Sequence, residues 1–176
     1  MRRRAIWIVV SLVTLASTTA YVRAVLATPA SGFAGTTLAV GRFGNIDVTN
    51  HLITESLNAA GRKKSLWLSW QKTKGPSDLY IQNNVWSPGG STGWHTHPGH
   101  SLIIVTAGTV TAYDGDDPTC TPHVYTAGMG FVDPGGDHVH VLRNEDTVDA
   151  RTMAVQLIPA GATRRIDAAG PDACPF

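Results

Sequence analysis

Short apolar runs, separated by glycine, proline, asparagine and aspartate, recur along the chain from residue 36 onward. Strand signals about eight to twelve residues apart, with turn residues between them, are typical of an all-β sandwich or barrel. We therefore predict an all-β domain with strands over residues 36–40, 45–48, 65–72, 78–86, 102–106, 109–113, 124–125, 130–132, 139–143 and 151–158.

One segment instead carries the end signals of a helix. Asn50 is a good N-cap and Gly61 a good helix end, so we predict a short helix within residues 50–61. With 176 residues the chain has the length of one domain. We expect strands and this helix over residues 28–76, packed on a barrel core over residues 77–158, and an extended tail over residues 159–176.

The N-terminus has the pattern of a targeting segment. Three arginines at positions 2–4 precede an apolar stretch that begins at Ala5, and residues 25–27 supply the small residues that a signal peptidase prefers. We predict a signal peptide over residues 1–27, cleaved before Thr28, and hence an exported protein. The alternative is an uncleaved anchor, because residues 5–22 approach the minimum length of a membrane span.

Charge argues against nucleic acid as a partner. The chain has 14 basic and 13 acidic residues, and removal of residues 1–27 takes away four arginines and no acid, which leaves a net charge of −3. Such a surface has no electrostatic reason to bind DNA or an anionic membrane. Membrane contact is expected only through an uncleaved N-terminal segment.

The two cysteines fit an exported protein. Cys120 lies in a turn-rich run and Cys174 lies close to the C-terminus. In an oxidising compartment a single pair is most simply a disulfide, which would hold the tail against a loop. The alternative is that Cys120 and His123 form half of a zinc site, which would need two further ligands.

Histidines are concentrated in one part of the chain. Six of the seven lie between residues 95 and 140, namely His95, His97, His100, His123, His138 and His140. Side chains alternate across a strand, so residues 95 and 97 face the same way, and so do residues 138 and 140. Two such pairs on neighbouring strands predict a site for a divalent cation. Imidazole suits Fe, Mn, Ni, Cu and Zn to differing degrees, so the histidines alone do not select one of these ions.

The same residues resemble two motifs of the cupin family. Residues 90–108 have a glycine, two histidines one residue apart (His95 and His97), and a later glycine; residues 128–144 have a glycine, a proline–glycine turn, a histidine and Asn144. The resemblance covers about residues 77–158. It implies a single-domain jelly-roll barrel with a metal ion held inside by His95, His97 and His140, and a homodimer, since barrels of this family often pair.

The chain departs from the family pattern at two positions. Ser101 stands where the family commonly has a glutamate ligand. Counting sequence positions back from Asn144 selects His140 as the third ligand. Counting forward from the proline–glycine turn instead leaves one residue too many, so His138 is the alternative. A bulge at the two glycines of the turn would absorb the difference.

Further residues are candidates for the pocket around the ion. They are His138, Ser101, His100 and Trp94, although strand alternation points His100 away from the site. Asp133 and Asp137 flank the second-motif turn and are interpreted as turn residues. Either one could act as a base only if its side chain points inward.

Two functions remain open at this stage. Three neutral imidazoles leave the +2 charge of an ion uncompensated, which favours an anionic or chelating small molecule. The first hypothesis is a metal-dependent oxygenase or isomerase acting on such a molecule, with its catalytic residues unassigned. The second is a non-catalytic module that binds a small ligand or a metal, because no general base is evident.

Overall fold

The structure, a computed structural model, describes residues 27–58 and 61–176. In these two ranges all regular secondary structure is β-strand, and they contain no helix able to cross a membrane. The predicted signal or anchor segment lies, up to residue 26, outside the described residues. The strands are β1 (Ser31–Phe43), β2 (Asp47–Asn58), β3 (Gly61–Lys72), β4 (Ser77–Ser91), β5 (His95–Thr96), β6 (Ser101–Ala107), β7 (Thr109–Asp114), β8 (His123–Thr126), β9 (Gly130–Asp133), β10 (His140–Arg143), β11 (Ala150–Pro159) and β12 (Ile166–Asp167).

Ten of these strands form one antiparallel sheet that curls into a nearly closed barrel. Its main path runs β12-β5-β10-β4-β11-β6-β9, with β1 also paired to β4, and β7 paired to β10 and β8. The long strand β4 pairs along its length with β1 on one side and β11 on the other. The predicted all-β barrel is therefore confirmed. Strands β1 and β12, on either side of residues 77–158, pair into the same sheet.

Alternation along the strands separates the interior of the barrel from its surface. In β6, Ser101, Ile103 and Val105 are buried, while Leu102 and Ile104 are exposed. One apolar cluster fills the interior and consists of Trp86, Val105, Val110, Ala112, Leu142 and Ala150. The strand that carries Ser101 inward is thus anchored by apolar burial, the main favourable contribution to folding.

The predicted helix over residues 50–61 is wrong. Residues 50–58 belong to β2 and Gly61 begins β3, and these two strands pair with each other as a separate two-stranded sheet. Asn50 pairs with Ser69 instead of capping a helix, and Gly61, with φ of 111°, begins β3 instead of ending a helix. The segment 48–54 is rich in valine, isoleucine and threonine, whose branched side chains favour strands. This preference outweighs the two end signals.

The predicted disulfide is confirmed. Cys120 and Cys174 are bonded, with their Cα atoms 5.5 Å apart. Cys174 is buried in a second apolar cluster with Trp94, Tyr113 and Val141. The bond fixes the C-terminal tail to the loop after β7, so the tail is part of the packed domain.

Candidate metal centre

Two neighbouring strands bring three imidazoles together. His95 in β5 lies directly opposite His140 in β10, and His97 follows β5 on the same side as His95. One ring nitrogen from each of the three histidines lies within 4.8 Å of the others. The ring centroids of His95 and His140 are 4.4 Å apart. The two motifs, more than forty residues apart in sequence, therefore converge at one point inside the barrel.

Backbone carbonyl groups fix the orientation of two of these rings. His95 Nδ1 bonds the oxygen of Gly93 at 2.8 Å, and His97 Nδ1 bonds the oxygen of Arg164. A carbonyl oxygen only accepts, so Nδ1 carries the proton in both rings and Nε2 of each neutral ring keeps its lone pair. Metal-binding histidines commonly donate their other ring N–H to such a partner.

Burial keeps the three rings uncharged. His95 and His140 are each 4% exposed. Burial is the main reason that the pKa of His95 falls from 6.5 to about 2, and repulsion by His140 lowers it further. Burial also lowers the pKa values of His97 and His140. Neutral imidazoles are the form that binds a metal ion.

Asp133, at the end of β9, points into the same site. Its Oδ1 accepts the N–H of Gly135 at 2.9 Å, as a turn residue would. The same carboxylate is buried and places Oδ2 3.6 Å from His97 Nε2 and Oδ1 3.6 Å from His140 Nδ1. The side chain of Asp133 thus points inward, which is the condition for a functional role, whereas Asp137 is exposed.

The imidazoles and Asp133 border a cavity of about 110 Å³ inside the barrel. The rest of the lining includes the amides Gln82, Asn84 and Gln156 and the arginines Arg164 and Arg165. Aromatic and aliphatic side chains, among them those of Phe33, Trp86 and Ile103, close the remaining wall. The cavity therefore combines nitrogen and oxygen donors with positive charge.

A chain of hydrogen bonds connects the basic wall to Asp133. Arg164 Nε donates to Gln156 Oε1 at 3.1 Å. Gln156 Nε2 donates to Ser101 Oγ at 3.4 Å. Ser101 Oγ in turn donates to Asp133 Oδ2 at 3.4 Å. Ser101, predicted as a pocket residue, therefore contacts the carboxylate and lines the cavity.

The other predicted pocket residues lie elsewhere. His138 stacks on His140 with centroids 5.7 Å apart and places Nε2 3.2 Å from Asp114 Oδ1, in a neighbouring cavity. His100 lines a different cavity, beside Pro98. Trp94 is fully buried in the second apolar cluster and is not among the residues that line the cavity.

Sequence reasoning missed Gln156 and Arg164. Gln156 had a usable signal, because it is a polar residue on the same face of predicted strand 151–158 as Ala154 and Ile158. Arg164 had no signal, since it lies in a segment interpreted as an extended tail. Its two contacts with the site depend on how that segment folds back over the barrel.

Comparison with known proteins agrees with this fold. The family model described as Cupin domain matches residues 85–156. No curated protein matches the chain.

Three solved structures illustrate the similarity in fold. A cupin superfamily protein from Desulfitobacterium hafniense is 15% identical, with a TM-score of 0.40, over 46% of this chain and 67% of that one. A polyketide cyclase from Streptomyces resistomycificus is 19% identical, with a TM-score of 0.43, over 54% of this chain and 65% of that one. A predicted oxalate decarboxylase from Thermotoga maritima is 20% identical, with a TM-score of 0.38, over 48% of this chain and 83% of that one.

Proposed function

Because residues 85–156 match the family model described as Cupin domain, we propose that this chain binds one divalent metal ion through His95, His97 and His140. The observation that carries the proposal is the convergence of three neutral imidazoles, of which those of His95 and His140 are buried and that of His97 is partly buried. Two of them are held by carbonyl groups with Nε2 lone pairs free. The ring nitrogen Nδ1 of His140 is buried with no hydrogen-bond partner, which is costly unless something else binds there.

The donor set suits Fe, Mn, Ni, Cu or Zn, all of which accept imidazole nitrogen. When bound, such an ion supplies a Lewis acid and a template for a small ligand. The chain's own residues orient the ligand atoms. Gly93 and Arg164 hold two of the rings by their carbonyl oxygens, and apolar side chains form part of the cavity lining.

We further propose that the protein acts as an oxygenase or isomerase on a small anionic or chelating molecule. The cavity of about 110 Å³ is small beside the roughly 300–1,000 Å³ of pockets that hold drug-sized ligands. Arg164 adds positive charge to its lining, whereas the charge of Arg165, which also lines it, is paired with Asp167. Both features favour a compact anion.

The second candidate function is a non-catalytic module that captures the same kind of molecule. It is favoured by the surroundings of Asp133, the one acidic residue among those that line the cavity. Its oxygens already interact with Gly135, Ser101 and two histidines. A carboxylate committed in this way is not free to act as a general base. Stoichiometric ligand binding without product would favour this module over the enzyme.

Isothermal titration with Mn²⁺, Ni²⁺, Cu²⁺ and Zn²⁺ tests the metal site. The wild type should bind one equivalent of at least one of these ions. His95→Ala, His97→Ala and His140→Ala should each weaken that binding by at least about 100-fold. His100→Ala is the matched control and should leave it unchanged. Equal affinity of the His140→Ala and wild-type proteins would overturn the proposal.

We also propose that the protein is exported and that the mature chain begins at Thr28. The disulfide supports export, because such bonds persist in oxidising compartments. Thr28 already takes part in the fold, since its Oγ1 accepts the N–H of Trp94 at 2.9 Å. Intact-mass measurement of protein recovered from outside the cytoplasm should show a chain starting at Thr28. A mass that includes residues 1–27 would establish the anchor instead.

We propose finally that two copies associate through the β2–β3 hairpin. An isolated two-stranded hairpin is at best marginally stable in water. One face of this hairpin exposes Ile53, Leu57, Leu66, Leu68 and Trp70, each more than 60% accessible. Exposed apolar surface of this kind marks interaction sites. A second copy of the hairpin would bury this face and pair part of its open edges.

A further inference from the structure

The contact between His97 and Asp133 joins two atoms that both accept hydrogen bonds. His97 Nδ1 is occupied by the carbonyl oxygen of Arg164, so Nε2 of the neutral ring has only a lone pair. That nitrogen faces Asp133 Oδ2 at 3.6 Å. Two acceptors that face each other in a buried site repel, and a cation between them would remove the repulsion.

The 3.6 Å separation fits a shared ion better than a shared proton. A charge-assisted hydrogen bond between a protonated histidine and a carboxylate is about 2.7–2.9 Å long. Two ligand atoms that each lie about 2.1 Å from one ion are about 3.0–3.4 Å apart in octahedral or tetrahedral geometry. The second oxygen of Asp133 lies at the same distance, 3.6 Å, from Nδ1 of His140, which is buried with no hydrogen-bond partner.

The carboxylate is also held in place from behind. The N–H of Gly135 bonds Oδ1, and the hydroxyl of Ser101 bonds Oδ2. Gln156 and Arg164 extend this chain of hydrogen bonds. Supporting bonds of this kind orient the carboxylate ligands of metal ions.

Asp133 lies directly opposite Ser101 across the β6–β9 pair. Ser101 is the position at which the resemblance leads one to expect a glutamate ligand. The side chain of residue 133 therefore starts from the neighbouring strand at the same level of the barrel. A carboxylate on β9 can reach the space that a longer carboxylate on β6 would occupy.

We propose that Asp133 is the fourth protein ligand of the metal ion and replaces the glutamate that is missing at position 101. This inference rests on the proposed function, because it needs the ion held by the three histidines. It changes the charge expected of the site, since a carboxylate leaves +1 where three imidazoles alone leave +2. With Arg164 also in its lining, the cavity still favours an anion.

The first test compares Asp133→Asn with Asp137→Asn, an exposed aspartate of the same loop. Affinity for Co²⁺ and Zn²⁺ is measured by chelator competition on the full chain. Asp133→Asn should weaken binding by at least about 100-fold, beyond the usual cost of removing an outer partner, and Asp137→Asn should not. Adding Ser101→Glu to Asp133→Asn returns the carboxylate from the opposite strand and should restore most of the affinity.

The second test reads coordination directly. In Asp133→Cys loaded with Co²⁺, a thiolate bound to the ion gives an intense sulfur-to-cobalt charge-transfer band in the near ultraviolet. We expect this band, and we expect it to be absent from Asp137→Cys. This readout depends on contact with the ion, so it keeps the inference testable if Asp133→Asn does not fold.

Two results would overturn the inference while the proposed function stands. One is wild-type affinity in folded Asp133→Asn. The other is a loss of affinity that Ser101→Glu does not restore, together with no charge-transfer band in Asp133→Cys. A wild-type protein that binds no divalent ion would instead overturn the proposed function itself.

Discussion

The main-chain oxygen of Arg164 accepts a hydrogen bond from Nδ1 of His97, a residue 67 positions earlier in the chain. Through this bond the segment before β12 sets the orientation of a proposed metal ligand. The Arg164 side chain reaches the same site from the other direction through Gln156. One residue of the tail therefore connects the basic wall of the cavity with the histidine cluster.

Replacement of the Arg164 side chain should weaken anion binding more than metal binding. Arg164→Ala keeps the carbonyl group that bonds His97 but removes the positive charge from the cavity lining. We expect a loss of about 10- to 100-fold in the affinity of the metal-loaded protein for oxalate, used as a probe anion. Metal affinity should change by less than about 10-fold. Titration calorimetry measures both, with Arg151→Ala, an exposed arginine, as the control.

The metal-free protein should lose stability as the pH falls below about 6.5. Burial lowers the pKa of His95 from 6.5 to about 2, so between these values the unfolded chain binds a proton there that the folded chain does not. The free energy of unfolding therefore reaches its full value above pH 6.5. Below that pH it falls by about 1.4 kcal/mol per pH unit for each such histidine.

Urea unfolding of the metal-free protein at several pH values checks this dependence. His95→Gln, which cannot titrate, should flatten the pH dependence by about one proton. His51→Gln, which changes an exposed histidine of the hairpin, should leave it as in the wild type. An unchanged slope in His95→Gln would contradict the assigned burial of a neutral ring.

Loss of the disulfide should destabilise the domain without abolishing the site. The bond between Cys120 and Cys174 closes a loop with a sequence separation of 54 residues. The chain-entropy account gives a stabilisation of about 4 kcal/mol for a loop of this size. Urea unfolding with and without reductant should show a loss of up to this amount. The Cys120→Ala/Cys174→Ala variant is the control and should not respond to reductant.

Polar substitutions on the β2–β3 hairpin should dissociate the proposed dimer. Leu66→Ser/Leu68→Ser removes two of the most exposed apolar side chains, 66% and 62% accessible. Sedimentation equilibrium should show a dimer for the wild type and a monomer for this variant. Val148→Ser, an exposed position on a barrel loop, should remain dimeric. A wild-type protein that is monomeric at all concentrations would rule out this interface.

Much of the barrel and of the histidine cluster follows from local pattern. The spacing of His95 and His97 puts both rings on one face of a strand, and the alternation in β6 turns Ser101 inward. Such period-two patterns are local, so one sequence is enough to read them. The helix prediction is wrong because the branched residues between Asn50 and Gly61 favour a strand more strongly than these two end signals favour a helix.

The contacts of Asp133 and Arg164 could not be predicted in the same way. Each depends on the register between segments far apart in sequence, such as the pairing of Ser101 with Asp133. Turn chemistry explained Asp133 adequately by itself, and that explanation is correct for the bond to Gly135. That the carboxylate oxygens of Asp133 also face the histidines follows only from the pairing of β9 with β6.

Anomalous diffraction from crystals grown with the bound ion locates the metal directly. We expect one anomalous peak inside the barrel, about 2.0–2.1 Å from one ring nitrogen of each of His95, His97 and His140. No peak among these rings, or a peak only beside His138 and Asp114, would contradict it.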